Sequence, residues 1–342
     1  MALSRIDTTN MIEDVPQSKI DNNINFRNII INGDMSIAQR GTSASNVSTG
    51  YHTCDRWRVV RGAGTLNVSQ ETDAPTGSGF VKSFKFLENG SGANPGATDR
   101  NFLQHRIEGQ NLQYLKKGTS SAQQLTLSFW IKATVTGTYI AEIFDNDNSR
   151  QVSKTYTISS ANTWEYKTIT FPADTTGTFD NDNGSSLQLN LYLTAGSNYT
   201  SGTLNTTWNS NTDANRAVGQ VNALASANDL VQITGVQLEA GDTASDFEFL
   251  PTGVNLQRCQ RYYFQDTAFL DINIVRVSDN TRSSGRLLPV EMRTTPTFTS
   301  TSSNEIGNTQ MNNSSPRGIR FVMSGSADNV PRYQAYNLSA EL

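Results

Sequence analysis

Residues Leu230–Phe264 read LVQITGVQLEAGDTASDFEFLPTGVNLQRCQRYYF, and the division of the chain turns on them. Leu230, Val231, Ile233, Val236 and Leu238 alternate with polar residues, which predicts a half-buried strand closing a sheet. The pattern breaks at Gly241, runs extended through Phe247 and Phe249, and turns at Pro251–Gly253. Leu256, Cys259 and Tyr262/Tyr263 then recur at helical spacing, with Asn255 as the expected N-cap. The stretch thus ends one β body, at about residue 250, and a connector over 251–264 clasps it to another.

Upstream, short apolar-alternating runs are separated by Gly, Asn, Asp and Ser. They fall at Asn28–Ile37, Asp55–Leu66, Phe80–Leu87, Phe102–Ile107, Gln124–Thr134, Thr138–Phe144, Thr155–Ile158, Glu165–Phe171 and Leu187–Leu193. Regular short strands with turn residues between them predict a sandwich or barrel, and we expect a jelly-roll β-sandwich over 26–250. Gln124–Thr134 sets Leu125, Leu127, Phe129 and Ile131 on one face and Trp130 on the other; Trp57 and Trp130, both in strands, are assigned to the core. The polar excursion Thr194–Leu230 is long enough to expect a functional loop or one docked on a partner. Residues 265–342 carry five more short runs and predict a small C-terminal β domain. Residues 1–25 hold only isolated apolar anchors such as Ile6, Ile12 and Ile20, too few for a core, and predict an extended arm that orders against another chain.

Composition narrows the function. Of 342 residues 17% are charged and the net charge is −4, so the basic stripe that a nucleic-acid binder needs is missing. No apolar run approaches membrane-spanning length, and MALSRIDTTNMIEDVP lacks the charged-then-apolar order of a secretion signal, so synthesis in a cytoplasm and no membrane insertion are expected. Cys54 and Cys259 are the two cysteines, enough for neither a disulfide framework nor a metal site, and read as small buried hydrophobes. His52 and His105 are the two histidines; with no GxSxG or HExxH motif they read as structural. The carboxylate pairs Asp145/Asp147, Asp180/Asp182 and Asp246/Glu248 lie in turns or along an extended run, where side chains bond their own backbone more often than they flank a glycosidic bond. FDNDNSR (144–150) and FDNDNGSS (179–186) make Asp145, Asp147, Asp180 and Asp182 calcium-loop candidates, but neither loop has Gly at its sixth or Glu at its twelfth place. No metal and no cofactor are expected.

Several segments carry a resemblance. GVQLEAGD followed by CQRYY, RNIIINGDMSIAQRGTS (27–43) with YHTCDRW (51–57), LSFWIKAT (127–134), and TLNTTW with NRAVGQ (203–220) together resemble the tail fibre proteins of tailed bacteriophages, across roughly residues 26–263. The resemblance implies a carbohydrate-binding-like sandwich and a homotrimer located in the virion. It also implies a leader that attaches to a tail adaptor or baseplate protein, and a host surface polysaccharide as receptor. Sugar faces stack on Trp and Tyr, so the loop-borne Tyr51, Trp164, Tyr199 and Trp208 are the candidate glycan-binding residues. The expectation is adhesion without catalysis. The rivals are a structural fibre, head decoration or adaptor subunit without glycan affinity, and a surface-polysaccharide hydrolase.

Overall fold

The structure is a computed structural model that describes residues 26–266, 275–278, 281–300, 308–311, 315–324 and 336–342. The expected arm, 1–25, lies outside the described residues, as do 269–274 of the expected strand Phe269–Val277. In chain order the strands begin with β1 (Ser43–Ala44), β2 (Gly50–Tyr51), β3 (Trp57–Val60), β4 (Leu66–Glu71), β5 (Ser83–Glu88) and β6 (Arg100–Glu108). Next come β7 (Leu125–Ala133), β8 (Gly137–Asp145), β9 (Arg150–Ile158), β10 (Glu165–Phe171), β11 (Ser185–Ala195), β12 (Asn209–Ser210) and β13 (Leu230–Ala240). A short helix α1 (Ser197–Thr200) precedes β12, and α2 (Thr252–Gln260) follows β13. The C-terminal strands are β14 (Tyr263–Asp266), β15 (Val275–Ser278), β16 (Thr281–Leu287), β17 (Thr297–Ser300), β18 (Asn308–Met311), β19 (Gly318–Ser324) and β20 (Tyr336–Ser339).

The first thirteen strands build an antiparallel β-sandwich. One sheet runs β1-β4-β5-β13-β7-β10 and the other β12-β9-β8-β11-β6-β3-β2. Alternation explains the shared core. β11 sends Leu187, Leu189, Leu191 and Leu193 inward, β7 sends Leu127, Phe129 and Ile131, and both meet Trp57, Phe84 and Phe86 in one cluster. Asp55–Leu66, expected as a single run, instead splits into β3 and the start of β4, which lie in different sheets.

β13 differs from its expectation in two respects. It closes no edge but lies inside its sheet between β5 and β7, buried along nearly all its length. Its inward residues also change phase, from Val231 and Ile233 to Val236 and Leu238, across a register shift between Thr234 and Gln237. That bulge is built on Gly235, at φ 63°, where an added Cβ would meet the Phe80 ring at 2.5 Å. β5 pairs only with Leu230–Ile233; beyond the bulge, residues 28–33 bond to β13, Ile29 N to Leu238 O and Val236 N to Gly33 O, each at 2.9 Å.

Those residues are not the strand expected at Asn28–Ile37. The segment turns on Asn32 (φ 60°) and Met35 (φ 59°) and is pinned by side chains. Asn28 Oδ1 accepts from Leu238 N, and Asn32 Nδ2 donates to Ile37 O and Asp55 O. Glu248 accepts from the main-chain N of Phe26 and of Asn28, so this acid of the Asp246/Glu248 pair anchors backbone.

The connector is a helix as expected, but it begins at Thr252, with Pro251 preceding it. Asn255 is not its N-cap: it lies inside the helix, buried, with Oδ1 accepting from Asn32 N and Nδ2 donating to Asp34 and Ser36. Cys259 and Tyr262 pack with Ile31 and Ile37, so Cys259 is the small buried hydrophobe expected, as is Cys54 in the sandwich core. The chain then enters a three-stranded sheet β14-β20-β17 and a four-stranded sheet β15-β16-β19-β18. Phe264, Met292, Ile319, Tyr336, Leu338 and Ala340 form a small cluster there.

Candidate functional site

The strands β7 and β10 carry an aromatic platform on the face of the six-stranded sheet turned away from the core. Trp130 and Tyr166 are register partners, with ring centroids 5.3 Å apart and planes 48° apart. Trp130 is therefore not the core residue expected; alternation opposes it to Phe129 and Ile131, and it is half-buried. Tyr166 is 47% exposed. Trp164, two residues along β10's side, donates Nε1 to Asp73 Oδ1 at 3.2 Å, and Lys132 Nζ lies 5.3 Å from its ring centroid while pairing with the same Asp73. Glu165 and Lys167, which pair at 2.6 Å, alternate with Tyr166 and lie on the opposite face of β10, with Ile169 and Phe171. Rings on an open sheet face, with charged and hydroxyl groups at their margins, can receive the C–H face of a sugar while bonding its hydroxyls.

A second aromatic group lies over the β13 bulge. Phe80, Phe247 and Phe249 form a mutual triad with centroids 4.9–5.0 Å apart, and Phe249 is 52% exposed. The ring of Phe80 fills the space that Gly235 leaves.

The four candidates from the sequence do not converge. Trp164 joins the platform. Tyr51 sits at the junction with the C-terminus, its hydroxyl donating to Leu342 O at 3.2 Å. Tyr199 packs on the seven-stranded sheet with Phe102, Ile140, Tyr192 and Ala217, under the Arg100 guanidinium. Trp208 packs against the sandwich core and donates Nε1 to Pro172 O at 2.7 Å. Both belong to the excursion 194–230, which docks on this chain's own sheet. Arg216 from that excursion forms a two-pronged pair with buried Glu142, at 2.8 Å each, and Asn190 and Tyr192 donate to the same carboxylate. The signal for Trp130 and Tyr166 was present: each occupies the polar phase of its strand, where a large ring has no packing duty.

The acidic loops are structural in their bonding. Asp145 is buried and accepts from Lys117 Nζ at 2.6 Å and from Asn148 N at 3.1 Å. Asp147 accepts from Asp180 N at 3.0 Å, and Asp182 from Gly184 N at 2.7 Å. Lys117 also reaches Asp174, whose carboxyl is held below its ordinary range, against its own burial, by Arg150 and Lys117. Among the described residues no three His, Cys, Asp or Glu gather in a group that can hold a metal ion. No helix among them is long and apolar enough to cross a membrane.

No protein-family model matches the chain, and no curated protein sequence does. Solved structures do. The chain is similar to the enzymatically active domain of tailspike protein 4 of bacteriophage CBA120, at 14% identity and TM-score 0.35 over 63% of this chain and 21% of that one. It thus spans about a fifth of that protein's length. It is also similar to a family 11 carbohydrate-binding module from Clostridium thermocellum in complex with a β-1,3-1,4-mixed-linked tetrasaccharide, at 11% identity and TM-score 0.29 over 59% of this chain and 98% of that one. The tripod from the baseplate of bacteriophage Tuc2009 matches at 11% identity and TM-score 0.29, over 92% of this chain and 90% of that one.

Proposed function

We propose that this chain is a receptor-binding fibre subunit of a phage tail. It adheres to a host surface glycan through the Trp130–Tyr166–Trp164 platform and performs no chemistry on it. The platform carries the reading: two register-paired rings on an open sheet face and a third ring fixed by Asp73 and Lys132. The resemblance of residues 26–263 to tail fibres supports the virion setting, with residues 1–25 as the segment that attaches to an adaptor or baseplate protein. The reading without catalysis is supported by the bonding of the carboxylates weighed as hydrolytic, since Asp145 pairs with Lys117 and Asp147, Asp182 and Glu248 accept from main-chain nitrogens.

A glycan array with the whole protein, alongside Trp130→Ala and Tyr166→Ala, tests this. Loss of a stacking ring should weaken retention of the bound glycan about two- to tenfold, the equivalent of about 0.5–1.5 kcal/mol per ring contact. Retention of no glycan by the intact protein would leave the structural subunit standing instead. Release of reducing ends from host polysaccharide would establish the hydrolase.

A further inference from the structure

At the junction of the sandwich, helix α2 and the C-terminal segment lies a cleft of about 730 Å³. Arg106, Arg258, Arg261 and Arg293 line it, with the exposed rings of Phe26 and Tyr114. Arg261 is neutralised by Glu108, with its two nitrogens at 2.9 and 2.8 Å from that carboxylate. Arg258 and Arg293 have no carboxylate within ion-pair distance among the described residues, although the Glu248 carboxylate acts on Arg258 from farther away. Arg106 donates to Gln104 Oε1 and Leu342 O, and Arg293 to the main-chain oxygens of Ala340, Asn183 and Glu341. Arg258 has a 3.4 Å bond to Asn28 O, and its guanidinium lies 6.0 Å from the centroid of the Phe26 ring. Burial pushes the Arg258 guanidinium below its ordinary range. Glu291, the acid lining the cleft among the described residues, pairs with Arg317 at 2.9 Å.

A desolvated guanidinium whose counter-charge is distant is costly, and an incoming oxyanion relieves that cost. Guanidinium forks match carboxylate and phosphate oxygens two at a time, and a concave wall of one sign concentrates ligands of the other. This happens on a chain whose net charge is −4, so the cleft opposes the overall charge. Phe26 and Tyr114, 58% and 50% exposed, offer ring faces to a sugar at the same mouth.

Resting on the adhesion reading above, we propose that the cleft is a second saccharide site, selective for an oxyanion-bearing sugar, either a uronate or a sugar phosphate. The platform then holds neutral residues of the glycan and the cleft its charged ones. Arg258 and Arg293 are the specificity-determining side chains, and Tyr114 the stacking one.

The test is calorimetric titration of the full chain with three probes: hexagalacturonate, a poly(glycerol phosphate) oligomer, and a neutral cellulose oligomer of matched length. We expect one or both anionic probes to bind more tightly than the neutral one, and their binding to weaken as salt is raised. The better probe tells uronate from phosphate. Arg258→Met should weaken anion binding tenfold or more, and Arg258→Lys, which keeps the charge but not the fork, should fall between. Thermal melts of both variants show that the fold persists. Anionic probes binding no better than the neutral one would overturn the proposal, as would unchanged binding in a folded Arg258→Met variant. In either case neutral glycans retained on the array leave the adhesion reading standing; no glycan retained ends both.

Discussion

His105 is buried against Trp57, ring centroids 4.8 Å apart, and its Nε2 accepts from Ile31 N at 3.3 Å. The ring is therefore neutral with its proton on Nδ1, and burial, with Arg56 and Arg258 nearby, holds it well below the usual histidine range. Asp55 is its counterpart. Burial pushes its carboxyl up to about 6, although Arg40 and two bonds from Gln39 pull it down. The two sites act on stability with opposite sign. Below about pH 6.5 the unfolded chain protonates His105 and the folded chain does not, so its contribution is present above that pH and lost as pH falls. Asp55 keeps its proton in the folded state to about 6, so its contribution is complete below its unfolded value and lost as pH rises to about 6. Between about pH 5 and 6 each slope is about 1.4 kcal/mol per pH unit, and they cancel. Urea unfolding across that window should therefore show a near-flat profile for the native chain. Stability should fall with pH in His105→Asn and rise with pH in Asp55→Asn. Parallel profiles for the three proteins would refute both assignments. That His105 is structural was legible from the missing catalytic motifs. Its burial was not, because the residues that cover it, 28–32, looked like a strand.

Among elements, β13 and α2 set the register of everything around them. The phase slip from Ile233 to Val236 is written in the sequence, yet alternation read without counting the odd step makes a plain edge strand of it. Strands whose alternation is unbroken, such as β7 and β11, were legible. Asn28–Ile37 misled because Ile29, Ile31, Met35 and Ile37 keep strand spacing while Asn32 and Met35 are left-handed. Its true partner, the far half of β13, lies some two hundred residues away, where no local pattern reaches. Asn255 misled as a cap because its amide serves Asn32, Asp34 and Ser36 across the fold. Gly235→Ala should cost about 1–3 kcal/mol, from a left-handed non-glycine residue plus collision with Phe80. A chemical melt within a few tenths of a kcal/mol of the native chain would show that the bulge relaxes. Tyr262 is 1% exposed, packs with Cys259, Ile31 and Ile37, and lies under the Arg56 guanidinium at 3.4 Å. Tyr262→Ala should cost about 3 kcal/mol or more and admit protease near residues 252–264. An unchanged melting curve and cleavage pattern would reduce α2 to a solvated linker.

At the scale of the molecule, the C-terminal end is tied back to the sandwich by bonds from Tyr51 and Arg106 to Leu342 O and by the Glu341 carboxylate. Glu341 pairs with Arg40 at 3.0 Å and with Arg56, while those guanidiniums stack on Tyr263 and Tyr262. Arg293 adds bonds to Ala340 O and Glu341 O. The cluster this network holds in place is small, with Leu288 and Phe298 only partly buried against it. A core of that size gains much from burial against copies of itself, and the apolar anchors spaced along residues 1–25 have the same need. The tail-fibre resemblance makes the expected assembly a trimer with a closed threefold axis. Trimerisation would also multiply weak sugar contacts at platform and cleft, provided the joint between sandwich and tip is stiff. Glu341→Gln separates these effects. It leaves the buried Arg56 guanidinium without its carboxylate, while Arg40 keeps Asp55 at 3.6 Å, so the C-terminal segment should detach while the sandwich stays folded. Native mass measurement at micromolar concentration should return a trimer for the native chain. For Glu341→Gln it should return a smaller species, together with a loss of glycan avidity greater than any change in single-site affinity. A native chain that is monomeric at that concentration would sink the trimer outright. A Glu341→Gln trimer with native avidity would show that the joint at Glu341 has no part in assembly.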